Sequence, residues 1–249
     1  MLWPLAGIFL LSCGASAFNQ YQEWPYDEKM ERTRQRPVPS RRISPAEATR
    51  IAMICIAGGL VILMYESNWV CLLLGLLNLF WYNGIYTWLK RKTAFAVVPG
   101  AMAGVIPILM GWTAMDGKIT DPAALFLAFF IFTWQIPHFW MLTLKYGHEY
   151  HNAGFPVLTD LFTEFQIKIM IMIWMVASSG ASVMLIYFKI LHLPAFAYSI
   201  IGLNIVLLLL MAYQLFIANS IRYRIIFVAA NLFMMTVLMS LIADKLINF

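Results

Sequence analysis

The chain has 249 residues, of which 62% are hydrophobic and 12% charged, and a mean hydropathy of +0.76. Soluble domains carry about 45–50% apolar and about 25% charged residues, so the composition excludes a soluble globular protein and reads as an all-α, polytopic membrane protein. The net charge of +5 implies no nucleic-acid partner, because the basic residues fall in loops between apolar runs, where lysine and arginine report membrane orientation.

Apolar runs near the ~20-residue spanning length predict eight transmembrane helices in a single domain, 1–249. They lie at 2–24, 45–65, 68–89, 93–114, 122–146, 163–188, 194–219 and 223–247. The first run, MLWPLAGIFLLSCGASAFNQ, has the A-S-A-like end of a signal peptide. It lacks a positive leading region and meets a polar patch at once, so it reads as a retained helix. Pro45, Pro122 and Pro194 stand where helices start. Pro99, Pro107 and Pro137 fall inside spans and predict kinks. Gly100, Ala103, Gly104 and Gly111 predict a small-residue face for close helix packing. Cys13, Cys55 and Cys71 lie in apolar runs without metal-like spacing and read as packing residues.

The loops test this count. Alternating them places Lys29, Arg32, Arg34, Arg36, Arg41, Arg42, Arg50, Lys90, Arg91, Lys92, Lys145, Lys168, Arg222 and Arg224 on one side. Only Lys118, Lys189 and Lys245 of the 17 basic residues fall opposite. The basic side is expected to be cytoplasmic, or the matrix side of a mitochondrial inner membrane, with both termini on the other. The acids follow the same split: Glu23, Asp27, Glu28, Glu31, Glu47, Glu149, Asp160 and Glu164 share the basic side, against Glu66, Asp116, Asp121 and Asp244.

Three groups of residues on that side suit chemistry. Asn19, Glu23 and Asp27 recur at i, i+4 and i+8, one stripe of a helix. Two carboxylates and an amide oxygen suit Mg²⁺, which takes one or two carboxylates and completes its shell with phosphate and water. The plain alternative is a frayed, solvated helix end, and Pro25 interrupts the stripe. Arg32, Arg34 and Arg36, with Lys90, Arg91 and Lys92, suit a diphosphate; the alternative is orientation alone, to which Arg41 and Arg42 are assigned. The stretch TWQIPHFWMLTLKYGHEYHNAGFP holds His138 inside an apolar, aromatic span, where an ionisable group is a functional candidate, although a packing histidine is the commoner case. Lys145 and Glu149, and Asp160 and Glu164, are i,i+4 pairs that spacing does not rank. Acidic segments beside cationic loops suggest an enzyme acting on a lipid diphosphate.

YDEKMERTRQRPVPSRRISP, YTWLKRKT, PGAMAGVIPILMGW and WQIPHFWMLTLKYGHEYHNAGFPVL appear in order, followed by ANSIRYRIIFVAANLFMMTVLMSLIAD. Together they closely resemble the heme O synthase (protoheme IX farnesyltransferase) branch of the UbiA-type intramembrane prenyltransferases, over nearly the whole chain. The resemblance implies a helical bundle, usually of nine helices, around a central cavity open to the basic side. It implies transfer of a farnesyl group from farnesyl diphosphate to a vinyl group of heme B, giving heme O for terminal oxidases. Mg²⁺ is the implied cofactor and heme B a substrate. A bacterial plasma membrane or mitochondrial inner membrane is the implied place, with heme A synthase or terminal oxidase assembly as partners.

By position, the resemblance places Asn19, Glu23 and Asp27 on the first acidic motif, and Tyr86, Lys90, Arg91 and Thr93 on the basic loop. Lys145, Glu149 and Tyr150 fall on the second acidic segment, which ranks Glu149 above Asp160 and Glu164. The implied catalytic residues are Glu23, Asp27, Glu149 and Tyr86, with metal at Glu23, Asp27 and Glu149. Asn19, Arg32, Arg36, Lys90, Arg91 and Lys145 are the implied diphosphate contacts, and His138 the heme contact. Tyr86 and the Trp134–Trp140 stretch offer aromatic faces to an allylic cation. The family usually has Asp at the positions of Glu23 and Glu149 and Asn at that of Ala96. Its first helix, with a Lys-Pro-Arg entry, has no counterpart here, which accounts for eight helices. The alternatives are an aromatic prenyltransferase acting on a quinone precursor, and a non-catalytic heme-binding or oxidase-assembly relative. A transporter would carry its charges at mid-membrane depth.

Overall fold

The structure is a computed structural model and describes residues 2–247. Among them there is no strand, and eight helices are long and apolar enough to cross a membrane. These are α1 (Leu2–Asp27), α2 (Pro45–Glu66), α3 (Trp69–Leu89), α4 (Ala94–Thr113), α5 (Pro122–Ala153), α6 (Glu164–Tyr187), α7 (Pro194–Ile217) and α8 (Tyr223–Ile247). The sequence count is therefore met. The spans are helical because every backbone polar group in hydrocarbon must be satisfied within its own segment, and apolar because their side chains face that hydrocarbon.

The starts of the helices follow from local chemistry. Pro45, Pro122 and Pro194 each occupy the first helical turn, where a missing N–H costs nothing. Ser44 and Glu47 form a reciprocal capping box ahead of α2, as Thr163 and Gln166 do ahead of α6. Two helices outrun their predicted ends. α1 continues through Pro25 to Asp27, and α5 continues past 146 to Ala153, where Gly154 takes a left-handed φ of 94° and stops it.

The chain divides into two compact units. The first holds Met1–Ala124 with Tyr146–Asp160, and the second Leu125–Lys145 with Leu161–Phe249. In the first unit α1 lies directly on α2. A Cβ at Gly14 would fall 2.6 Å from Ile56 Cγ1, and one at Gly59 would fall 2.8 Å from the Gly7 carbonyl. Close backbone approach therefore rests on Gly7, Gly14 and Gly59. The small-residue face expected on α4 is only half present: Gly100 is tightly enclosed, whereas a Cβ at Gly111 would meet nothing within 4 Å. Leu11, Leu63, Cys71, Ile106 and Met110 form the apolar core that α1, α2, α3 and α4 share. Asn68 caps α3, its Oδ1 accepting from the Cys71 N–H at 3.0 Å while its Nδ2 donates to the Thr113 carbonyl.

α3 is not regular. Residues Phe80–Tyr86 form a π-helical segment, in which the Thr87 N–H reaches back five residues to the Tyr82 carbonyl. The Thr87 hydroxyl donates to the same carbonyl at 2.9 Å. The expected kinks are met unevenly. α4 begins as a 3₁₀ turn at Ala94–Ala96 and has a break at Ala101 after Pro99, but α5 runs unbroken through Pro137.

In the second unit, Phe130 packs edge-on against Phe233 with ring centroids 5.8 Å apart. The Trp134 indole donates to the Ala230 carbonyl at 2.8 Å. Asp244 was expected among the plain acids of the opposite side. It is fully buried in α8 and accepts from the His192 and Leu193 N–H groups at 3.0 and 2.7 Å, which ties down the start of α7.

Candidate active site

The polar stripe of α1 survives Pro25. Asn19, Glu23 and Asp27 all face inward, with 7%, 2% and 1% of their surfaces exposed. A frayed, solvated end is thereby excluded. Pro25 itself is exposed and sits in the last turn, on the far side from the stripe.

Each carboxylate has a cation. Lys90 Nζ donates to Glu23 Oε2 at 2.8 Å, and Arg36 Nη1 donates to Asp27 Oδ2 at 2.8 Å. The remaining oxygen of Glu23, Oε1, is buried with no hydrogen-bond partner. Asn19 Nδ2 donates to the Thr87 hydroxyl at 3.1 Å, which sets its amide beside the π-helical end of α3. Arg91 lies over the Tyr26 ring, 5.0 Å from its centroid, and donates to the Gln22 carbonyl at 2.6 Å.

Lys90 is held in its charged form. Burial alone disfavours the charge, but the Glu23 carboxylate outweighs it, with Tyr86 and Tyr150 adding to the effect, and the amine titrates above the ordinary lysine range. Its Nζ also sits over the Phe155 and Tyr86 rings, 5.3 and 5.8 Å from their centroids. Phe155 reaches that position because Gly154 turns the chain back at the end of α5.

The loop after α1 closes on the second acidic segment. The Arg32 N–H donates to Glu149 Oε2 at 3.2 Å, and its guanidinium donates to the Tyr150 hydroxyl at 2.7 Å. Thr33 anchors the same loop by donating to the Asp27 carbonyl at 3.1 Å. Glu23, Asp27, Glu149 and both cationic loops therefore lie in one unit. The model of the UbiA prenyltransferase family matches residues 1–241 of the chain.

The chain belongs to the UbiA prenyltransferase family. A protoheme IX farnesyltransferase of Geobacter sulfurreducens is 40% identical over 196 residues, covering 78% of this chain and 69% of that one. Another, of Oleidesulfovibrio alaskensis, is 32% identical over 248 residues, covering 100% and 86%. The apo structure of a UbiA homolog from Aeropyrum pernix K1 superposes with a TM-score of 0.76 over 99% of this chain and 88% of that one. At 14% identity, that match speaks for the shared fold.

In this member of the UbiA family the Mg²⁺ assignment has a structural test. Glu23 and Asp27 fit a hard divalent cation: they are nearly fully buried, one helical turn apart, and Glu23 keeps an unused oxygen. Among the described residues, no three His, Cys, Asp or Glu side chains gather closely enough to hold one ion. Glu149 is engaged instead with the Arg32 backbone.

The other assigned residues separate. Arg34 is exposed and pairs with Glu31 at 3.5 Å. Arg42, assigned to orientation, braces its own loop by donating to the Gln35 carbonyl at 2.5 Å. Asp160 contacts His151 Nδ1 at 3.1 Å, and Glu164 pairs with Lys168 at 2.8 Å. Lys145 is exposed and belongs to the second unit, as does His138. His138 lies tilted against Trp134 and Phe227 and edge-on to Phe139, with ring centroids 4.6, 4.6 and 5.4 Å away, and its Nδ1 is buried without a partner.

Sequence reasoning missed Gln22, Tyr26, Asn83, Thr87 and Phe155. Asn83 carried a signal, being an amide inside an apolar span. Gly100 shows its purpose only in three dimensions. A Cβ there would lie 2.4 Å from the Tyr86 ring, so the glycine makes room for that ring. Gly100→Val is expected to displace Tyr86 and to slow prenyl transfer on the order of 100-fold, as ångström-scale misplacement does. Gly111→Val, facing open space, should leave turnover unchanged in the same steady-state assay.

Proposed function

We propose that this chain, as one prenyltransferase domain over 1–249, transfers a farnesyl group from farnesyl diphosphate to a vinyl group of heme B, giving heme O. The observation that carries the reading is the pair of buried carboxylates on α1, each matched by a cation, with one carboxylate oxygen left unused. The names of its relatives support these substrates, and the paired carboxylates and cations support a diphosphate site.

Lys90, Arg36, Arg32 and Arg91, with the Asn19 amide, bind the diphosphate oxygens. As the C–O bond of the allylic diphosphate breaks, its electron pair passes to the leaving oxygen, and these cations stabilise the growing negative charge. Glu23 and Asp27 would hold Mg²⁺, with Glu149 the candidate for a second ion; bound there, Mg²⁺ supplies further positive charge against the leaving group. Tyr86 presents a π-face to the allylic cation. The vinyl π-electrons form the new C–C bond, and water adds to the resulting cation with loss of a proton. No covalent nucleophile is required. His138, with its unpartnered Nδ1, is the candidate heme contact. The basic side is taken as cytoplasmic or matrix-facing, and terminal oxidase assembly as the destination of the product.

Purified full-length protein in lipid nanodiscs, given farnesyl diphosphate, heme B and Mg²⁺, is expected to release diphosphate and form heme O, read by mass spectrometry. Prenylation of a hydroxybenzoate with heme untouched would overturn the heme assignment. Heme binding without diphosphate release would overturn the enzymatic one.

A further inference from the structure

The half-buried Gln22 and the buried Asn83 form an amide lock between α1 and the π-helical segment of α3. Gln22 Nε2 donates to the Asn83 carbonyl at 2.9 Å. Asn83 Nδ2 donates back to Gln22 Oε1 at 3.0 Å and also to the Ala15 carbonyl at 3.0 Å. Asn83 is 8% exposed. The lock therefore grips α1 at two points, one turn before Asn19 and one residue before Glu23. Arg91 adds a third grip through the Gln22 carbonyl.

Rotation and sliding of α1 decide whether Asn19 meets Thr87 and whether Glu23 meets Lys90, because those partners stand on α3 and just beyond it. The close approach at Gly7, Gly14 and Gly59 holds α1 against α2 but makes no polar tie from α1 to α3. Directional amide bonds in a low-dielectric interior have one register. The π-helical segment matters for the same reason. Its extra residue per turn shifts the face of α3, bringing Asn83 and Thr87 to α1 together.

We infer that Gln22 and Asn83 are positioning residues that fix the register of α1 and so set the diphosphate-binding geometry of Glu23 and Lys90. The inference rests on the proposed diphosphate site, and partners of this kind typically change affinity or activity by about 10–100-fold when removed.

Binding of inorganic pyrophosphate with Mg²⁺ is measured by calorimetry on the full chain in nanodiscs, beside KM values for both substrates. Asn83→Leu is expected to weaken pyrophosphate binding about 10- to 100-fold and to raise KM for farnesyl diphosphate, leaving KM for heme unchanged. The exchanged pair Gln22→Asn with Asn83→Gln should recover part of the loss. Equal pyrophosphate affinity in wild type and Asn83→Leu overturns the positioning role while the site stands. Equal losses toward both substrates, unrecovered by the exchange, overturn it in favour of plain destabilisation. Wild-type protein that binds no pyrophosphate overturns the diphosphate site and this inference with it.

Discussion

Glu23→Gln and Asp27→Asn are each expected to lower kcat by about 100- to 1,000-fold, the usual loss when one preorganised electrostatic group is removed from a site. The amides keep the size and hydrogen-bonding reach of the acids, so the change is one of charge. Both side chains are almost wholly buried, with 2% and 1% exposed, which makes the charge expensive to keep and argues for a role beyond solubility. Glu23 has the stronger case of the two, because Lys90 occupies only Oε2 and Oε1 is left without a partner. Turnover of farnesyl diphosphate and heme is the measurement, with the thermal midpoint as a control for folding. Full rate in both variants would remove the metal assignment. A lost rate in Asp27→Asn alone would leave the site to Asp27 and Arg36.

Much of this was legible in the chain. The eight spans follow from apolar run length, and the proline positions mark their starts because proline costs nothing in a first helical turn. The stripe of Asn19, Glu23 and Asp27 follows from helical spacing. The sequence left its burial open, because a proline near a helix end reads equally as a break. Asp27 stays helical because Thr33 and Arg36 hold it from the loop beyond. The identity of each ion pair was out of reach: Glu23 and Lys90 lie 67 residues apart, and two basic loops offered several equivalent cations. The π-helical segment was hidden for a different reason. It changes hydrogen-bond register without changing composition, so Phe80–Tyr86 reads as ordinary apolar helix. Dense glycines on α4 predict a small-residue face there. The close approach lies between α1 and α2, where Gly7, Gly14 and Gly59 are more widely spaced.

Lys90→Met should make the protein less stable by about 3 kcal/mol, the scale of stranding one member of a buried ion pair, and should make its stability depend on Mg²⁺. Without the amine, Glu23 retains a buried charge with neither oxygen partnered, and a divalent cation is the ligand that restores it. The wild type already carries a cation on each carboxylate, so Mg²⁺ alone must compete with Lys90 and Arg36. Its thermal midpoint is expected to respond to Mg²⁺ only when pyrophosphate is present to draw those two side chains away. In Lys90→Met the midpoint should fall and then rise with Mg²⁺ alone, and Lys90→Arg should behave as wild type. The pH dependence has a definite sign. Because the folded-state pKa of Lys90 is raised, its contribution is complete below the ordinary lysine value of 10.5 and is lost only as pH climbs above it. The contribution of Lys90 to wild-type stability should therefore stay constant from pH 6 to pH 9. A variant as stable as wild type, or one whose lost stability returns equally with Na⁺, would show that Lys90 does not stand in for the metal on Glu23.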